Sequence, residues 1–156
     1  MRASVCRCLL CGLVIAVLLL GISCRRDEVA DEEVGRRGAI EVVAELVEIP
    51  DKFPAIAMYD YAFVLKYKVF SVKRGVLAED IIYVGHYNPL KPRWEAADAR
   101  VKGIGGNVRR FRAGDVHHMA LEAGIDEHYM GGVINKYHGR MSGPIYWAVW
   151  TNRGRR

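Results

Sequence analysis

Apolar and polar positions alternate most cleanly from Tyr59 to Val72. Tyr61, Phe63, Leu65, Tyr67 and Val69 share one side, and Ala62, Val64, Lys66 and Lys68 share the other. A period of two, carried by aromatic and β-branched residues, predicts a strand that crosses the core. Lys73-Arg74-Gly75 closes it, and Asp80 to Gly85 (DIIYVG) returns as a second strand, paired antiparallel with the first. His86-Tyr87-Asn88-Pro89 then ends that strand at a rim.

Ala39 to Ile49 (AIEVVAELVEI) carries two patterns at once. Glu41, Glu45 and Glu48 share a helical face, while Ile40, Val42, Ala44 and Leu46 alternate as in a strand. Its β-branched content and the stop at Pro50 favour a strand. Asp51 to Met58 follows as a loop. Val116 to Glu122 (VHHMALE), after the turn signal Ala113-Gly114-Asp115, reads as a strand with His117, Met119 and Leu121 on one side. Val116, His118 and Ala120 lie on the other, so the two neighbouring histidines point apart. Pro144 to Thr151 (PIYWAVWT) is apolar on both faces, which predicts a central strand or an aromatic surface patch. Between these strands, 90–111 is broken by prolines and glycines, with room for a helical turn in Trp94 to Val101. Ile125 to Asn135 suits a short helix weakened by Gly131 and Gly132. The fold class expected is mostly β: a small antiparallel OB-like barrel or sandwich of about five strands with one or two short helices.

The cysteines change the picture of where the working chain begins. Cys6, Cys8, Cys11 and Cys24 are the four present, and none follows Cys24. Arg2 and Arg7 precede the apolar run Leu9 to Ile22, which ends in Gly21-Ile22-Ser23-Cys24, the layout of a secretory signal. The run is short against the roughly 20 apolar residues that a bilayer span requires. The residues before Cys24 resemble the bacterial lipoprotein signal, with Gly21 standing where that pattern usually has leucine; the resemblance implies diacylglycerol on the Cys24 sulfur. Without it, Cys24 would be an unpaired thiol in an oxidising compartment. The division expected is signal 1–23, a lipid-anchored polar tether 24–37, one β-rich domain 38–152 and a basic tail 153–156. About 130 residues remain after the signal, enough for one core without disulfides.

The chain carries a formal charge of +5, but Arg2 and Arg7 leave with the signal. Net charge therefore excludes little. Its distribution says more, because Lys102, Arg109, Arg110 and Arg112 crowd one Gly-rich stretch and Arg153, Arg155 and Arg156 form the tail.

The run YAFVLKYKVFSVKRG at Tyr61 to Gly75, then DIIYVGHY at Asp80 to Tyr87, then FRAGDV at Phe111 to Val116, resembles the strand and turn order of netrin-like and inhibitor-of-metalloproteinase-like OB-fold domains. Coverage is roughly Ala39 to Thr151. The inhibitors of that family begin with a disulfide-bonded cysteine, which has no counterpart here, so inhibition is not carried over. His86-Tyr87-Asn88-Pro89 is also similar to a motif of uncharacterised bacterial envelope lipoproteins.

Candidate chemistry falls into two classes. Asn88, Trp94, Arg109, Arg110, Arg112 and Trp147 suit a binding surface, with indole faces for sugar rings and guanidinium forks for carboxylate or phosphate. His86, Asp115, His117 and His128 form the alternative, a zinc-dependent hydrolase with three nitrogens and one oxygen. The spacing lacks a His-Glu-x-x-His pattern, and no Gly-x-Ser-x-Gly occurs. Lys102 to Asn107 lacks the Gly-Lys-Ser/Thr ending of a phosphate loop, so a plain loop is expected there. The expectation is an exported envelope lipoprotein, facing the periplasm or outside, that acts as a binding or assembly module for a polysaccharide or protein partner. Catalysis is not the favoured reading, no cofactor is expected, and nucleic acid is not expected as a partner after export.

Overall fold

The computed structural model describes residues 32–56 and 59–156. The signal, Cys24 and most of the tether lie outside the described residues. Among the described residues no helix is long and apolar enough to cross a membrane.

The fold is mostly β, one mixed sheet of seven strands with two short helical turns between them. β1 (Ile40–Glu48) settles the double pattern of its sequence in favour of a strand, because Ile40, Val42, Ala44 and Leu46 are buried together in the core. Its glutamates take the outer face, where Glu41 meets Arg74 and His118, Glu45 meets Arg156, and Glu48 meets Lys66. β2 (Ala62–Arg74) begins three residues later than the alternation suggested and pairs antiparallel with both β1 and β3 (Ile81–Tyr87). Tyr61, Phe63, Leu65 and Tyr67 line the same core as expected; Ala62 and Val64 are buried in clusters on the opposite face.

Two-residue strands, β4 (Gly105–Gly106) and β6 (Val133–Ile134), punctuate the long links and carry no sequence signal of their own. β5 (Val116–Glu122) pairs antiparallel with β1 and with β7 (Ile145–Arg153). β7 is central, between β5 and β3, and this explains its two apolar faces. Tyr146 and Ala148 enter the main core, whereas Trp147 joins Tyr87 and Tyr129 in a second cluster.

The expected antiparallel sheet of about five strands is corrected to a mixed one of seven. β7 runs parallel to β3 and to β4, and β6 runs parallel to β2. Parallel neighbours need a long crossover, and the chain between Tyr87 and Ile145 supplies it. That crossover is irregular for identifiable reasons. The helical turn is only Arg93–Glu95, because Asp98 Oδ1 accepts from the amides of Arg100 and Val101 at 2.8 Å each and turns the chain. The later helix is one turn, Ile125–His128, ending ahead of Gly131-Gly132. It lies against β3 at Gly85, where a Cβ would come within 2.4 Å of Ile125 Cδ1. Gly106 allows a similar approach to β7, at a φ of +132° and with no room for a side chain beside Thr151.

The segment ahead of β1 is packed rather than a bare spacer. Val34 is fully buried, and Arg37 Nη1 donates to Gly103 O at 2.9 Å while its guanidinium lies over the Trp150 ring. Arg74 donates to the carbonyl oxygens of Val34, Gly35, Arg37 and Gly38. From Glu32 onward, residues of the expected tether pack against the sheet.

Candidate functional site

The inward faces of three strands bring together residues far apart in sequence. Tyr67 follows Phe63 and Leu65 along β2, His86 follows Ile82 and Val84 along β3, and His117 precedes Met119 and Leu121 along β5, each in phase with its strand's core positions. Tyr67 Oη lies 3.0 Å from His86 Nε2 and 3.1 Å from His117 Nδ1. Arg93 joins them from the helical turn; it is 1% exposed, donates from Nη1 to Tyr87 O at 2.7 Å and sits over the Phe111 ring. Phe111 also packs on both imidazoles, with centroids 4.5 Å from His86 and 5.6 Å from His117.

The hydroxyl has one proton, so it donates to one imidazole and accepts from the other. Either arrangement leaves one outer imidazole nitrogen as an N–H and the other as a lone pair. His86 Nδ1, His117 Nε2 and Arg93 Nε form no hydrogen bond among the described residues. Each such buried atom costs about 1–3 kcal/mol where nothing else satisfies it. Burial, with Arg93 and the facing imidazole, holds His86 well below the ordinary histidine range. His117 is pushed down to about 4 by burial first, then by Arg153 and Arg93. Burial raises the Tyr67 phenol well above its usual value and lowers Arg93 to about 10. Both imidazoles are thus neutral at pH 7, and Arg93 is the cluster's one cation.

Val116, the residue before His117, belongs to the lining of a hollow of about 510 Å³, together with Arg109, Arg110, Arg112, Asp115, Arg153 and Gly154. The core explains its basicity. Val108 and Phe111 are buried and pin the loop, and Gly114 N donates to Leu46 O at 2.7 Å, so Arg109, Arg110 and Arg112 have only the outside to occupy. Arg153, the last residue of β7, stands opposite His117 in the ladder. None of the four arginines makes an ion pair among the described residues, and Asp115 is the single carboxylate in the lining.

The six residues expected to form a binding surface are not gathered in one place. Arg109, Arg110 and Arg112 share this hollow, joined by Arg153, which the sequence assigns to the basic tail. Trp147 is 4% exposed and stacked on Tyr129 at 5.1 Å, at the floor of a second hollow. Asn88 is buried, holds a positive φ of 48° and donates from Nδ2 to Ala96 O, which makes it a turn residue. Trp94 is exposed and lines neither hollow.

Of the metal alternative, His86 and His117 are brought together, but through Tyr67. Asp115 is exposed in the basic hollow, and His128 is exposed and lines the second hollow. Among the described residues no group of three or more His, Cys, Asp or Glu side chains comes together to hold a metal. His118 points away from His117, as the alternation required, and meets Glu41 at 2.7 Å.

The signal that locates the buried cluster was present in the sequence, as strand phase. Arg93 had none, because it lies in the irregular crossover. Comparisons with protein-family models, with curated proteins and with solved structures each return no match.

Proposed function

We propose that this protein is an exported, Cys24-acylated envelope lipoprotein whose domain binds an anionic polysaccharide in the hollow of Arg109, Arg110, Arg112 and Arg153. The observation that carries this reading is four arginines around one concavity with a single carboxylate, none of them in an ion pair among the described residues. Guanidinium groups are weakly hydrated forks that match carboxylate and phosphate or sulfate esters, and clustered like charges destabilise a surface unless an anion relieves them. Trp147 and Asn88 are buried and the exposed Trp94 lies outside the hollow, which supports charge as the basis of recognition there.

The scaffold is an OB-like barrel. What supports it is the ring of pairings, from β1 to β2, β3, β7, β5 and back to β1, with β3 and β7 parallel and the other contacts antiparallel. A lipid on Cys24 would keep the module at the membrane, facing the periplasm or the outside.

Dextran sulfate and neutral dextran share a backbone and differ in charge, so they test the reading directly. The parent should bind dextran sulfate and not dextran, and Arg109→Gln with Arg112→Gln should weaken binding by about tenfold or more. Equal binding of parent and variant would refute the assignment of the hollow.

A further inference from the structure

The basic hollow and the buried Tyr67, His86, His117 and Arg93 cluster share a wall. Val116, in the hollow's lining, directly precedes His117, and Phe111, between Arg110 and Arg112, touches both imidazoles. Gly154, also in the lining, donates its amide to Val116 O at 2.8 Å, and a Cβ on it would meet the His117 main chain at 2.9 Å. Arg153 is His117's partner across β5 and β7, and directly opposed residues of an antiparallel pair project to the same face. The guanidinium therefore leaves, at the strand end, the same face on which the imidazole is buried.

We infer that anion binding in this hollow is coupled to uptake of one proton by the buried imidazole of His117, so that the ligand is held more tightly as the medium turns acid. The inference rests on the proposed role of the hollow and adds its regulation. The proton has a defined destination. In the tautomer whose Nδ1–H donates to Tyr67 Oη, the unpartnered Nε2 carries the lone pair, and protonation there yields an imidazolium that keeps its bond to Tyr67.

The charges facing His117 set the sign. Tyr67 on β2 and His86 on β3 are neutral; Arg93 from the helical turn and Arg153 from β7 both repel a proton. Asp115 lies at the start of β5, and from β1 the nearest acid, Glu45, is engaged by Arg156 at 2.7 Å. His118 lies on the opposite face with Glu41. An anion seated on Arg153 cancels one of the two repulsive charges, so the bound protein holds the proton more firmly than the free one. Reciprocity then makes affinity rise as pH falls through the interval between the bound and free proton affinities. A tenfold gain in proton affinity would tighten binding by about fivefold between about pH 7 and about pH 4.

Titration calorimetry of the detergent-solubilised full chain with dextran sulfate tests this. Its sulfate esters stay ionised throughout, so proton uptake belongs to the protein. At about pH 5, in two buffers of different ionisation heat, the parent should take up protons on binding and His117→Gln should take up almost none. Binding without uptake in the parent, or uptake retained in His117→Gln, would overturn the coupling while leaving the hollow's role intact. Should His117→Gln not fold, the imidazole resonances of His117 in the parent, titrated with and without dextran sulfate, decide the matter. An upward displacement of its titration supports the coupling, and an unchanged one ends it. Absence of binding at neutral pH would instead strike the proposed function itself.

Discussion

Tyr67 and His117 are separated by 50 positions in the chain, yet the phenol oxygen of one lies 3.1 Å from Nδ1 of the other in a space closed to solvent. Tyr67 also bridges to His86, so one hydroxyl satisfies two imidazoles at once. Tyr67→Phe keeps the ring and its packing on both histidines but strands two further nitrogens. It should destabilise the fold by about 1–3 kcal/mol, read from the midpoint of urea unfolding. A midpoint equal to the parent's would mean that the hydroxyl contributes nothing.

Acid should unfold the domain for a reason that can be located. Burial, then Arg153 and Arg93, pushes His117 down to about 4 in the folded domain, against the ordinary histidine value of about 6.5 in the unfolded chain. As pH falls below about 6.5 the unfolded chain takes up the proton first, so stability is full above that point and drains away until about pH 4, where the loss levels off. His86 acts in the same direction. His117 alone accounts for about 3 kcal/mol over this interval. Chemical denaturation at a series of pH values checks it, and His117→Gln should flatten the slope.

Strand phase made most of this fold readable in advance. The boundaries of β5 and the burial of β2 follow from alternation, which also puts His117 in step with Met119 and Leu121; His86, expected at a rim, is instead buried within β3 in step with Ile82 and Val84. Parallel pairing of β3 with β7 was not readable, since it depends on how the long crossover returns, and no local pattern encodes that. Arg93 was hidden for the same reason: its burial is set by the turn it occupies and by the carbonyl of Tyr87, not by a period. The arginines of the hollow were visible as a basic run, but Arg153 looked like the start of a tail until β7 carried it beside Val116.

The segment 32–38 offers a separate check on how the domain begins. Arg74 gathers the carbonyl oxygens of Val34, Gly35, Arg37 and Gly38, and Glu41 lies 3.5 Å from its guanidinium. Arg74→Ala should free this segment while leaving the core intact. Amide hydrogen exchange over residues 34–38 should rise by about tenfold, against little change in β2 and β3. Exchange that stays at the parent's level would assign the segment's order to Val34 and Trp150 instead.

Recognition by the basic hollow is tested most directly by where a polyanion lands. Heteronuclear NMR of isotope-labelled protein titrated with dextran sulfate maps that position residue by residue. Shifts should concentrate on Arg109, Arg110, Arg112, Val116, Arg153 and Gly154 and fade as salt is added. Shifts centred instead on the hollow of Tyr59, Tyr129 and Met130, or scattered evenly over the surface, would contradict it.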